Sequence, residues 1–146
     1  MKHELYPKAL VFLQFALIGL MLLFSQGVLH SIGGLIIFAI GAGIGLRAIS
    51  HHKRGNFNIQ PKLKDGCVLV TSGAYNYIRH PMYTSVIFMM LGVLVSTPIL
   101  LEFVFFILLI FVLVLKARRE EELWCGHDKT YIEYRNRTKL FIPYIL

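Results

Sequence analysis

The chain has 146 residues, of which 56% are hydrophobic and only 16% charged, and its mean hydropathy is +0.64. That leaves too little polar surface to clothe a soluble domain, so lipid is the expected solvent. The formal charge of +7 would suggest nucleic acid only as a patch on a soluble face. Here the cations flank apolar runs, which excludes a nucleic-acid partner and points to topology and anionic lipid.

The pattern predicts an all-α integral membrane protein with about four transmembrane helices in a single domain, 1–146. The first span runs roughly from Ala9 to Leu29. It is too long for a signal-peptide core and is followed by no small-residue cleavage site. The second runs roughly from Ile32 to Ile49 and carries Gly33, Gly34, Gly41, Gly43 and Gly45, a density that lets helices approach closely in lipid. The stretch from Ser50 to His80 is polar and basic. Asp65-Gly66 and Ser72-Gly73 read as turns around a short extended apolar run, Cys67 to Thr71. The third span runs roughly from Pro81 to Thr97 and the fourth from Ile99 to Leu115. Thr97-Pro98 joins them as a tight antiparallel hairpin, with Glu102 one turn on reading as an interfacial carboxylate, the alternative being a buried functional acid. From Lys116 to Leu146 the chain is a charged and aromatic tail that begins as a helix. Cys67 and Cys125 lie in different segments without metal-ligand spacing, both on the reducing side, and read as free thiols.

All fifteen Lys and Arg residues fall in the N-terminal tip, the end of the second span, the central loop or the tail. The short connections near His30 and Pro98 have none. The positive-inside rule therefore puts both termini and the central loop in the cytoplasm.

Two clusters on that side could carry chemistry. Arg79-His80-Pro81-Met82-Tyr83 sits at the mouth of the third span. Pro81 suits the first helical turn, and it pushes His80 onto a non-helical backbone. A helix N-terminus there suits a carboxylate or phosphate. The plainer reading is an interface anchor, with Arg for lipid phosphate and Tyr for the aromatic belt. The second cluster, Lys116-Ala117-Arg118-Arg119-Glu120-Glu121-Glu122, continues the fourth span. Helical spacing would pair Lys116 with Glu120 and Arg118 with Glu122. Three adjacent acids are unusual beside anionic lipid, and the hairpin brings both clusters to one polar pocket.

The order GAYNYIRHPMY, apolar hairpin, ARREEEL and YIEYRNRTKLFIP resembles the isoprenylcysteine carboxyl methyltransferase family and, more broadly, the membrane methyltransferases that include phospholipid methyltransferases. The resemblance covers about Gln60 to Pro143. It implies an S-adenosylmethionine pocket built from residues 60–83 and 116–143, at the cytoplasmic face. The implied cofactor contacts are Gln60, Cys67, Val68, Leu69, Val70, Tyr75, His80, Pro81, Met82 and Tyr83, with a glutamate from among Glu120, Glu121 and Glu122. A cation before the acids, Arg118 or else Lys116, would face the acceptor, with Arg118 taken as the catalytic residue. The acidic run has one member more than the family pattern, and the stretch from it to Tyr131 is about one residue shorter.

Elementary chemistry agrees: a helix end with His80 for the cofactor carboxylate, a glutamate for its ammonium, the Cys67–Val70 backbone for the adenine edge and a tyrosine face for the sulfonium. The implied reaction is methyl transfer to a lipophilic or lipidated acceptor drawn from the bilayer. The basic residue before the acids favours a carboxylate. The rivals are a phospholipid amine N-methyltransferase and a nicotinamide-dependent reductase, or a non-catalytic membrane protein, sharing the hairpin. The topology is testable by substituting cysteine at His30, which should label from the extracytoplasmic side only; labelling from the cytoplasm would overturn it.

Overall fold

The computed structural model describes residues 2–51 and 68–142, with side chains from Leu5 onward. Among the described residues five α-helices follow one another: α1 (Lys2–Phe24), α2 (Ile32–Ser50), α3 (Pro81–Ser96), α4 (Leu100–His127) and α5 (Thr130–Arg137). Short 3₁₀ turns at Val28–His30 and Gly73–Asn76 precede α2 and α3. Among the described residues the only β-type pairing is an isolated parallel bridge between Ile78 and Lys139. Val68 to Thr71 has no regular structure.

Three helices are long and apolar enough to cross a bilayer: α1 from Leu5, α2 and α4. The protein is thus an integral membrane protein. The segment expected to be the third span is a shorter apolar helix of 16 residues, α3. The expected fourth span ends near Leu115, but α4 runs on without a break for 28 residues. At 1.5 Å per residue that is about 42 Å, against about 30 Å of hydrocarbon. Its last three turns, from Lys116 to His127, carry the acidic cluster.

Glycines set the α2–α3 seam. Gly34 lies against Gly92 and Ser96, and Gly41 against Ser85, Phe88 and Met89, so the two helices run antiparallel. A methyl group added at Gly41 would sit 2.6 Å from the Met89 amide nitrogen, and one at Gly92 2.6 Å from the Gly34 carbonyl oxygen. Backbones this close exclude any side chain, as the glycine density predicts. Ser85 then donates to the Gly41 carbonyl at 2.7 Å, which satisfies a hydroxyl that lipid could not.

The α1–α4 seam is built differently. Leu10, Leu17 and Met21 of α1 join Phe106, Leu109, Val112 and Leu113 of α4 in the apolar core, with Met90 and Val93 of α3. Phe24 meets Phe105. Near the short connections, the Gln26 amide and the Ser25 hydroxyl meet the Thr97 hydroxyl. Three residues link α3 to α4, as the hairpin reading requires.

Glu102 corrects one expectation. It is 0% exposed, and neither carboxylate oxygen has a hydrogen-bond partner among the described residues. The reason is its rotational position. Leu100, Leu101 and Phe103 take the outward face of the first turn of α4, which turns Glu102 into the bundle instead of toward the interface.

The glycine seam gives a direct test. Gly92→Ala should destabilise the detergent-solubilised protein by about 1–3 kcal/mol, as overpacked sites do. Gly43→Ala, where nothing lies within 4 Å of an added methyl, should not. Thermal unfolding of the two variants side by side checks this.

Candidate active site

Three segments far apart in the sequence meet at one end of the bundle: residues 75–84, the extension of α4, and the tail from α5 to Phe141. Pro81 opens α3, and His80 before it has φ −125° and ψ 59°, the non-helical backbone that Pro81 imposes. The His80 ring is 8% exposed and stacks on Tyr83 at 5.4 Å, with Phe141 edge-on at 6.2 Å. Its Nδ1 lies 3.4 Å from Glu120 Oε2 and its Nε2 3.6 Å from Glu121 Oε1. The Tyr83 hydroxyl donates to Glu120 Oε1 at 2.5 Å.

Arg79 joins the segments. Its Nε donates to Glu121, and one terminal nitrogen donates to the Thr138 carbonyl and, at 3.0 Å, to the Arg135 carbonyl. A planar guanidinium serves several acceptors at once in a way that lysine cannot. Arg135 approaches the other Glu121 oxygen at 3.7 Å, from an exposed position. The tail is also laid along residues 77–80. The Arg79 amide donates to the Lys139 carbonyl at 2.8 Å, the His80 amide to the Leu140 carbonyl at 3.1 Å, and the Lys139 amide to the Tyr77 carbonyl at 3.1 Å. Thr84 donates to the Phe141 carbonyl, and Tyr134 to the Tyr75 carbonyl. Burial pushes the pKa values of Tyr75, Tyr131 and Tyr134 up, so all three remain neutral phenols.

The acids sort by direction. Glu121 is buried and committed to Arg79. Glu122 is exposed and pairs with Arg119 at 3.2 Å. Glu120 stands between His80 and Tyr83 with its side chain 21% exposed. Of the cations, Lys116 is 1% exposed, with Nζ 5.1 Å from the Tyr83 ring centroid and 2.5 Å from Gln14 Oε1 of α1. Arg118 is exposed. Two residues on from Lys116, it is rotated by about 200° around the helix, away from Tyr83.

Of the other sequence-predicted contacts, Tyr75 and Pro81 are buried in this cluster, Met82, Leu69 and Val70 are half-buried, and Val68 is exposed. Gln60 and Cys67 lie outside the described residues, as does the end of the tail at Pro143. The helix N-terminus offers less to an anion than the sequence suggests. Pro81 has no N–H, the Tyr83 and Thr84 amides bond to the His80 carbonyl, and those of Arg79 and His80 go to the tail.

Sequence reasoning missed Gln14, Tyr131, Tyr134, Thr138 and Phe141. Two signals pointed to some of them. Tyr131 and Tyr134 are three apart and share a helix face, and Gln14 is the lone amide in an apolar run.

Residues 34–124 match the model of the Isoprenylcysteine carboxyl methyltransferase (ICMT) family. No curated protein matches the chain. The matched stretch takes in α2, α3 and nearly all of α4, more than half of the sequence, and the chain belongs to that family. Membership supports a methyltransferase; α1 and α5 lie outside the match.

The His80 cluster gives a pH prediction. Burial lowers the His80 pKa, but the contacts to Glu120 and Glu121 outweigh it and hold the proton above the ordinary value of 6.5. Burial raises the Glu121 pKa, but His80 and Arg79 outweigh that and hold it below 4.5. The His80 contribution is therefore complete below 6.5 and is lost as pH rises through the raised value. That of Glu121 is complete above 4.5 and is lost as pH falls through the lowered one. The melting temperature in detergent should decline on the alkaline side, and His80→Gln should flatten that limb. A limb of unchanged slope in the variant would assign it to another group.

Proposed function

We propose that this chain methylates the carboxylate of a lipophilic acceptor, of the S-prenylcysteine type, with S-adenosylmethionine as donor. The observation that carries the reading is that Glu120, held by His80 and Tyr83, and the buried ammonium of Lys116 both lie against the same tyrosine. The residues fit the donor: Glu120 keeps an accessible edge for an ammonium, and His80 Nε2, 3.6 Å from Glu121, makes no hydrogen bond among the described residues. Tyr75, Tyr83 and Phe141 supply aromatic walls. Gln60, Cys67, Val68, Leu69, Val70, Pro81 and Met82 complete the cofactor side on the family resemblance.

When bound, the donor supplies an electrophilic methyl group: the acceptor oxygen forms the new C–O bond, the S–C bond breaks with its electron pair going to sulfur, and no proton moves. The protein has to orient two bound reactants, and correct alignment can contribute about 7–11 kcal/mol. Glu120 fixes one end of the donor. Lys116 is better placed than Arg118 to align the acceptor carboxylate, since it is buried beside Tyr83 while Arg118 is exposed. A carboxylate needs no general base. An amine acceptor would need one, and His80, whose proton is held more tightly than usual by two carboxylates, is poorly suited to the task. With α3 as a fourth crossing and both termini cytoplasmic, the site lies at the cytoplasmic face, where the acceptor slides in from the bilayer.

Incubation of the membrane-embedded protein with methyl-labelled donor and either an N-blocked S-prenylcysteine acid or phosphatidylethanolamine tests this by mass spectrometry. The label should appear as a base-labile ester on the acid; a stable methylamine on the lipid would overturn the carboxylate reading. Glu120→Gln should weaken S-adenosylhomocysteine binding about tenfold to hundredfold, the usual loss for one charge-assisted bond, while Glu122→Gln should stay within about twofold, as exposed pairs do. Equal losses in the two variants would refute the choice of Glu120.

A further inference from the structure

Gln14 is the one polar side chain in the apolar stretch of α1 from Ala9 to Phe24, and it is 6% exposed. A buried amide in a membrane helix is costly unless it is hydrogen-bonded. Its Oε1 accepts from Lys116 Nζ at 2.5 Å. That ammonium lies over the Tyr83 ring, and the Tyr83 hydroxyl donates to Glu120. A continuous chain of contacts thus runs from the first helix, through the ammonium and the phenol, to the carboxylate assigned to the donor.

We infer that Gln14 is a positioning residue for the acceptor, acting through Lys116, and that α1 thereby forms part of the active site. The inference rests on the carboxylate reading above. The choice of side chain matters. A glutamine oxygen accepts one ammonium hydrogen and leaves the positive charge intact to attract an anion. A glutamate of nearly the same shape would hold the lysine equally well and cancel that charge. A methionine would fill the space and hold nothing. Because α1 lies outside residues 34–124, this contact is a contribution of the chain's own first helix. It sets the α1 edge of the pocket, along which a lipophilic acceptor would slide.

The test is steady-state kinetics with the N-blocked S-prenylcysteine acid, alongside S-adenosylhomocysteine binding by calorimetry. Gln14→Glu should raise the acceptor KM about tenfold, as a like charge facing an anionic ligand does, with S-adenosylhomocysteine affinity kept within about twofold. Gln14→Met, which preserves volume, should raise KM less and serves as the second variant should the charge disturb insertion. In a Lys116→Met background, Gln14→Glu should add little, because the group it acts through is gone. Unchanged KM in both single variants overturns the inference, as does a KM rise matched by an equal loss of S-adenosylhomocysteine affinity, which marks a general structural role. A wild-type protein that leaves the acid unmethylated sinks the carboxylate reading and this inference with it; an active wild type with unaltered variants sinks the inference alone.

Discussion

The site depends on one buried ion pair, Arg79 with Glu121. Arg79 belongs to the segment leading into α3, Glu121 to the extension of α4, and the carbonyls of Arg135 and Thr138 that share the guanidinium belong to the tail. Each is an awkward group to leave unpartnered at the edge of a membrane. Together they satisfy one another, and in doing so they fix three pieces of backbone. Removing one partner of such a pair typically costs about 3–5 kcal/mol, because the other is left as an uncompensated buried charge. His80 and Tyr83 inherit their geometry from this clasp, since Glu120 and Glu121 are neighbours on one helix. The parallel run of hydrogen bonds between residues 77–80 and 139–140 then lays Phe141 against both rings.

Two helices were legible in the sequence because hydrophobicity in lipid is nearly the whole signal: the spans expected at 32–49 and 81–97 fall within a residue of α2 and α3, whereas the first, expected at 9–29, is Lys2–Phe24, a helix that takes in the polar tip and stops before Ser25-Gln26-Gly27. The four crossings themselves are supported for three helices by length. The glycine reading could be made because close backbone approach leaves no other residue type possible at Gly34 and Gly41. Directions around α4 were harder. Lys116, Arg118, Glu120, Glu121 and Glu122 look alike as a charge run, and only the helix phase separates Lys116, turned inward, from Arg118, turned out. Glu102 failed for the same reason: proximity to a helix end says nothing about which way the first turn faces. The tail contacts were illegible because they are backbone pairings between segments some sixty residues apart, and no side-chain pattern records them.

The two helix seams differ in kind. Between α2 and α3 the backbones touch, so the α3 N-terminus that presents His80 is held by a surface with almost no freedom to repack. Between α1 and α4 the contact is made by Leu10, Leu17, Met21 and their partners, side chains that can exchange shape with modest loss. On the proposed function, rigidity thus lies on the side of the donor and adjustability on the side of the acceptor.

The length of α3 has a further consequence. Sixteen residues reach only about 24 Å along the axis, less than the roughly 30 Å of an average hydrocarbon layer. As the fourth crossing proposed above, a helix that short would either thin the leaflet around it or draw its polar ends below the level of the headgroups. His80 and Tyr83 stand at one of those ends, so on that proposal the cluster around them sits within reach of the upper acyl chains. A prenyl chain would remain dissolved in the leaflet while its head is processed. On that proposal the same mismatch would tie the chemistry to bilayer thickness: a thin membrane would match the protein, and a thick, sterol-rich one would have to deform before an acceptor could meet the pocket.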